Sequence, residues 1–347
     1  MVALGIMELL SRRLHNIGFF RPIIPDVECD NNIQLILNRY NLKSSHEDMY
    51  AYKHEDARRM VSHGQSDVLL KNILEKYKAL ESQCDFVLCE GTDYTGVSTA
   101  FEFDFNAGVA NDLGCPILAV VNGRGKSPQE ILDAIRFARD AFEGQGCTIL
   151  AILVNRVEPQ HAGLINAQLN NEIVVKEPVY LLPEEPLLGK PTVGEIAATL
   201  KSRHLQGDPE DLKRDVLDIK IAAMNLPHFL DYIGDGTLVI TPGDRSDVIL
   251  GSLAATVSET YPNISGLLLT GGLPLEPQVQ RLIKGSKKTL PIPIFSVDSD
   301  TYATAIKAES VRAALTPQNE RKIASALGLF EAHVNIAEIE ERIKVVR

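Results

Sequence analysis

The chain has no tryptophan and no excess of positive charge. Against 46 Asp and Glu stand 35 Lys and Arg, a formal charge of −11, and the basic residues form no cluster. A nucleic-acid surface needs a basic patch, so a nucleic-acid partner is excluded. No apolar run reaches the roughly 18 residues that span a bilayer, so no membrane partner is expected. Met1–Leu10 is apolar, but Arg12 and Arg13 follow it rather than precede it, the wrong order for a secretory leader. The cysteines form no Cys-x-x-Cys pair and fit no zinc spacing. Cys84, Cys89, Cys115 and Cys147 lie in or beside apolar runs, as buried thiols in a reducing compartment do. The expected location is cytoplasmic. No G-x-G-x-x-G follows any strand, and there is no serine–histidine–acid set and no setting for a catalytic cysteine. Nicotinamide-dependent and nucleophilic enzymes therefore have no support.

What is present is alternation. Short, continuous apolar runs recur between helical stretches of roughly 10–15 residues, which predicts parallel sheets covered on both faces. The predicted elements begin with an amphipathic helix over 2–15 and a buried strand at Ile17–Ile24. A helix follows at Asn31–Tyr40, with Asp30 as its N-cap. Residues 43–66 read as a loop and a short helix. Further strands are expected at Asp85–Cys89, Pro116–Val121, Thr148–Val154 and Val179–Leu182. Ser127, Pro128 and Glu130 make a capping box with proline at the first helical position. The charged stretch 200–216 carries no apolar period and reads as a domain boundary. The fold class expected is therefore two three-layer α/β domains with mainly parallel sheets, over 1–205 and 206–347. The first helix has no strand before it. An α/β domain of this kind normally opens with one, so a strand is expected to be missing upstream.

The most complete βαβ unit spans 237–272. Strands are expected at Thr237–Thr241 and Gly266–Thr270, with a helix opened by Asp244-Arg245-Ser246-Asp247 between them. Asp244, Arg245, Asp247, Thr270, Gly271 and Gly272 thus come to the carboxyl edge of the sheet, where open α/β sheets bind ligands. Arg245 at a helix N-terminus opposes the helix dipole, so it has a partner there, either a ligand anion or a neighbouring carboxylate. Asp30 and Glu90 also lie at a carboxyl edge and could hold Mg²⁺, or be a cap and a loop acid. Asn155, just past a strand, could read a purine edge or form a turn. Gly123–Ser127 ends in GKS but has Val120 where a phosphate-binding loop needs glycine.

Nearly the whole chain resembles the amino-terminal half of the long, multidomain phosphate acetyltransferases. In these a dethiobiotin-synthetase-like P-loop domain and a DRTGG domain precede the acetyltransferase domain. The carrying segments are IGFFRPII, LCEGTD, ILVNRVEP, LLPEEPLLGKPTVGEI and LPHFLDYIGDGTLVITPGDRSDVILGSLAA…GLLLTGG. The resemblance implies a first domain without its first strand and phosphate loop, and no acetyl-transfer residues. It implies hypothetical nucleotide contacts at Arg21, Glu90, Gly91 and Asn155, Mg²⁺ ligands at Asp30 and Glu90, and an effector site at Asp244, Arg245, Asp247 and Thr270–Gly272. The function it implies is a regulatory, ligand-sensing and assembly module acting with an acetyltransferase domain. Its partners would be a nucleotide or central metabolite and other copies of the chain. No cofactor is certain, with Mg²⁺ and a nucleotide the candidates, and no catalysis by the chain itself is expected. The rival readings are an ATP- and Mg²⁺-dependent enzyme resembling dethiobiotin synthetase, and a purely structural oligomerisation scaffold.

Overall fold

In the computed structural model, residues 1–28, 30–92, 99–171, 176–285 and 292–346 are described. Cys29 and Asp93 lie outside them. The chain forms two compact units, one of residues 1–185 and 315–347 and the other of residues 186–314.

The first unit opens with α1 (Val2–Ser11), β1 (Ile17–Ile24) and α2 (Asn31–Tyr40). Next come β2 (Tyr50–Lys53), α3 (His54–Ser62), α4 (Ser66–Glu81) and β3 (Phe86–Cys89). It continues through α5 (Thr99–Leu113), β4 (Ile117–Asn122), α6 (Pro128–Gly144), β5 (Ile149–Val157), α7 (Pro159–Asn171) and β6 (Val179–Pro183). Its strands form two parallel three-stranded sheets, ordered β2-β1-β3 and β4-β5-β6.

The β5 strand shows why its run is continuously apolar. Ile152 and Val154 join one core, with Ile131, Ile135 and Ile165 of α6 and α7. Ala151 and Leu153, pointing the other way, join a second core under α1 with Ile6, Leu9 and Leu10. Both faces are covered, so neither parity of the strand can be polar.

The second unit contains α8 (Val193–Thr199), β7 (Arg203–Gln206), β8 (Asp218–Ile221) and α9 (Leu226–Leu230). It goes on with β9 (Thr237–Pro242), α10 (Ser246–Thr256), β10 (Gly266–Thr270), α11 (Pro277–Gly285), β11 (Ile294–Ser296) and α12 (Thr301–Glu309). Its five-stranded sheet runs β7-β11-β10-β9-β8, parallel except for β7. The β10 strand buries Leu267 and Leu269 on one face and Leu268 on the other, each in its own apolar cluster.

Two helices close the chain, α13 (Glu320–His333) and α14 (Ile336–Val346). They belong to the first unit, not the second. Phe330, Val334 and Ile339 complete the apolar layer over α1, β5 and β6, and the Tyr180 hydroxyl donates to Asn335 O at 3.1 Å and Glu338 Oε2 at 2.8 Å. The expected division at 205/206 is thus replaced by breaks at 185/186 and 314/315, because apolar cover rather than chain order decides where a helix docks. The stretch 200–216, read as a domain boundary, also holds strand β7, which pairs antiparallel with β11. Its polar content is that of an edge strand. Residues 43–66 hold not only a helix but β2, which pairs parallel with β1. Four residues are too few for a period to show.

Candidate functional site

In the first unit, Arg21 projects from β1 and is 7 % exposed. Its Nη1 donates to Asp30 Oδ2. Its Nε lies 2.8 Å from Glu90 Oε2, an ion contact without hydrogen-bond alignment. Asp30 is the N-cap of α2, and its Oδ1 accepts from Ile33 N–H at 2.9 Å. The Asp30 amide donates to Nε2 of buried His46 at 3.0 Å. Glu90, just past β3, also accepts from Asn32 Nδ2 at 3.0 Å.

The structure therefore brings Arg21, Asp30 and Glu90 together, with the guanidinium between the carboxylates. That donor set does not fit Mg²⁺ as it stands. A divalent cation needs carboxylate oxygens to itself, and here it would have to displace Arg21. Among the described residues no group of three His, Cys, Asp or Glu is placed to hold a metal ion.

Glu90, Gly91 and Asn155 line one cavity of about 930 Å³, to which Thr92 and Asn106 also contribute. Asn106 on α5 clamps the loop after β3. Its Oδ1 accepts from Thr92 N–H at 2.8 Å, and its Nδ2 donates to Thr92 O at 2.9 Å. Neither Asn106 nor His46 was found from sequence. Each reaches its partner across 14 or 16 residues, where no local spacing rule applies. Asn155, two residues before the end of β5, is in register with Asn122 of β4, and its carbonyl accepts from Gly123 N–H at 2.7 Å. The next residue, Arg156, has φ +66° and pairs with Glu184 through Nε at 2.7 Å and Nη2 at 2.8 Å. That bidentate bond holds the Glu184 carboxyl below its ordinary pKa. Burial raises the thiols of Cys84, Cys89, Cys115 and Cys147, so they are protonated and inert. Ser127 caps α6 in a capping box with Glu130. The GKS tripeptide is thus a helix start.

In the second unit, β9 and β10 are adjacent and parallel, with Thr270 opposite Pro242. The two loops therefore share the carboxyl edge as the sequence predicts. Arg245 grips Asp247 bidentately, Nε to Oδ1 at 2.9 Å and Nη2 to Oδ2 at 3.0 Å. Its Nη2 also donates to Met224 O at 3.1 Å. The pairing raises Arg245 and lowers Asp247 from their ordinary pKa values. Of the alternatives for Arg245, a neighbouring carboxylate is the partner the fold supplies. Nη1 forms no hydrogen bond among the described residues. Asp244 is exposed at the helix entrance.

Thr270 is buried, and its hydroxyl is 2.8 Å from that of Thr301. Gly271 and Gly272 take φ of +82° and +62°, which glycine adopts at no steric cost. Their amides donate to Ser299 O and Val297 O, each at 2.9 Å. The two glycines thus stitch the loop to the end of β11 and point their N–H groups inward.

Comparison with known proteins agrees with this layout. Residues 1–193, more than half of the chain, match the AAA domain family. The chain belongs to that family. Residues 195–311 match the DRTGG domain, which lies inside the second unit, residues 186–314. The phosphate acetyltransferase of Nitratidesulfovibrio vulgaris is 44% identical over 99% of this chain and 49% of that protein. That of Synechocystis is 34% identical over 100% of this chain and 50% of that protein, and that of Escherichia coli K12 is 24% identical over 98% and 50%. The chain spans about half the length of the curated relatives it matches. The crystallised CBS and DRTGG domains of the regulatory region of a Clostridium perfringens pyrophosphatase, complexed with diadenosine tetraphosphate, align with 58% of this chain and 79% of that chain. The identity is 14% and the TM-score 0.29, a superposition that says nothing about this chain's ligand. Among the described residues no helix is long and apolar enough to cross a membrane.

Proposed function

We propose that this chain is the regulatory, ligand-sensing and assembly half of a cytoplasmic phosphate acetyltransferase, with acetyl transfer carried by a domain outside these 347 residues. The observation that carries the reading is the 44% identity over 99% of this chain with 49% of a phosphate acetyltransferase. In this reading the AAA domain contributes to assembly as a homo-oligomer and the DRTGG unit contributes the effector site. A nucleotide or central metabolite binds at the carboxyl edge of β9 and β10, touching Arg245 Nη1 and the exposed Asp244. Asp247 holds the guanidinium in one orientation, so a ligand meets a pre-set donor rather than a mobile one. The effector acts by favouring one of two arrangements of the polypeptide, and shifts the equilibrium only by its differential affinity for the two. The ATP-dependent enzyme reading is the weaker one, since Asp30 and Glu90 are both committed to Arg21.

The test is an assay of the purified chain for acetyl phosphate formation from acetyl-CoA and phosphate, and for ATP hydrolysis with Mg²⁺. The expected result is no turnover in either. Acetyl phosphate formation would place the transferase chemistry inside this chain, and hydrolysis lost in Glu90→Gln would establish the rival enzyme.

A further inference from the structure

The sheet of the second unit ends in two strands that differ in kind. One end, β7, reads Arg203-His204-Leu205-Gln206 and carries no acidic residue. The other, β8, reads Asp218-Ile219-Lys220-Ile221, with one charge of each sign two residues apart. Residues two apart on a strand share a face. Asp218 and Lys220 therefore stand side by side, and Lys220 Nζ lies 2.9 Å from Asp218 Oδ2. The opposite face carries Leu217, Ile219 and Ile221. Ile219 packs on the apolar cluster that holds Ala305 and Ala308 of α12. Leu217 and Ile221, on either side of it, are 39% and 44% exposed. The α12 helix packs against β8 and β9, and its Tyr302 and Ile306, about one turn apart, are 74% and 50% exposed.

The β8 edge is also open along its backbone. In a parallel pair, alternate residues bond to the neighbouring strand. The Ala222 amide donates to Ile240 O of β9, so Ile219 and Ile221 turn their amides the other way. The Ile219 N–H is taken instead by Asp218 Oδ1, at 2.8 Å. Leu217, just before the strand, gives its amide to Gly236 O, so the open edge starts at Ile219.

We propose that this edge pairs with a second copy of the chain: the two β8 strands run antiparallel about a two-fold axis at Ile219 and join two sheets into one. The register argues for a second copy over any other partner. About that axis Asp218 faces the partner's Lys220, and Lys220 faces the partner's Asp218. Leu217 faces the partner's Ile221, so exposed apolar side chains cover each other. Ile219 meets its own copy, and its amide is released to the ladder when Asp218 turns to the partner's Lys220. Charge on an edge strand ordinarily blocks pairing. Two opposite charges on one face block every strand except one that presents them in reverse order, as an antiparallel copy does. Paired with itself, β7 would find no opposite charge. The same axis sets α12 beside its copy on one face of the joined sheet, where Tyr302 and Ile306 are covered. This goes beyond the function proposed above, which gives assembly to the first unit. Its test reads association rather than ligand binding, so either can fail without the other.

The test is sedimentation equilibrium of the full chain and of two charge variants, Asp218→Lys and Lys220→Asp, each alone and the two mixed. The parent chain is expected to self-associate. Each variant alone sets like charges opposite one another across the axis and should associate more weakly by about tenfold or more. Mixed in equal amounts, the two variants restore opposite charges at both contacts, and association should return. Variants that had merely unfolded would not recover on mixing. Hydrogen exchange at the Ile219 amide should slow as the parent associates. A parent that stays monomeric would overturn the proposal. So would variants that associate as the parent does, a mixture as weak as its components, or Ile219 exchange that association leaves unchanged.

Discussion

Arg21 lies between Asp30 and Glu90, and the Asp30 side chain is 5% exposed. Removing the guanidinium leaves a buried carboxylate without its counter-ion, a change that costs about 3–5 kcal/mol. Arg21→Met should therefore lower the urea midpoint by that equivalent, and adding Asp30→Asn should restore part of the loss, because asparagine keeps the cap without the charge. Failure of the second change to restore anything would mean that Arg21 acts by packing alone. Gly5 makes a second demand at one position. A Cβ there would lie 2.4 Å from Cγ of the buried Phe330 ring. Gly5→Ala should cost about 1–3 kcal/mol through overpacking, despite the better helix propensity of alanine. A lowered thermal midpoint checks it, and an unchanged one would show that α1 and α13 can separate without loss.

The loops after β5 and β6 show how one pair fixes two elements. Arg156, in a left-handed conformation, reaches Glu184 with two hydrogen bonds, and Arg124 stands 3.9 Å away. The Glu184 carboxyl is held below the ordinary glutamate value of 4.5, first by the hydrogen bond from Arg156. A depressed folded value means that the unfolded chain takes up this proton first as pH falls. The pair's stabilisation is therefore complete above about 4.5 and is lost as pH drops through the folded value. Glu184→Gln should destabilise at pH 7, and the gap between variant and parent should narrow at a pH below the ordinary glutamate value of 4.5. Urea melts at the two pH values measure it, and a gap that does not narrow would show that the pairing charge is not the cause.

Elements of this kind were largely legible in the sequence. The β10 strand at Gly266–Thr270, α2 with its Asp30 cap and the Ser127 capping box come out as expected. Each is written in local spacing. The β2 and β7 strands were not legible: each has four residues, and what makes them strands is the neighbour they pair with. In the candidate sites the positions at the sheet edges were readable, but not the side-chain partnerships. That Arg245 turns to Asp247, and that the Gly271 and Gly272 amides turn inward, depends on loop paths that spacing does not encode.

At the scale of the whole molecule, a chain of −11 formal charge carries two α/β units and spans about half the length of the Nitratidesulfovibrio vulgaris and Synechocystis relatives. Its last two helices return to cover the first unit, so the second is an insertion between residues 185 and 315. Such an insertion keeps its own sheet and its own carboxyl edge. The measurement that tests the sensing account most directly is titration calorimetry of the purified chain with ATP, NADH, pyruvate and adenine dinucleotides, repeated on Arg245→Ala. The account predicts that at least one of these binds saturably, and that Arg245→Ala weakens it by about 1.5–3 kcal/mol, as loss of a charged hydrogen bond does. Absence of binding by all of them, or binding that Arg245→Ala leaves unchanged, would contradict it.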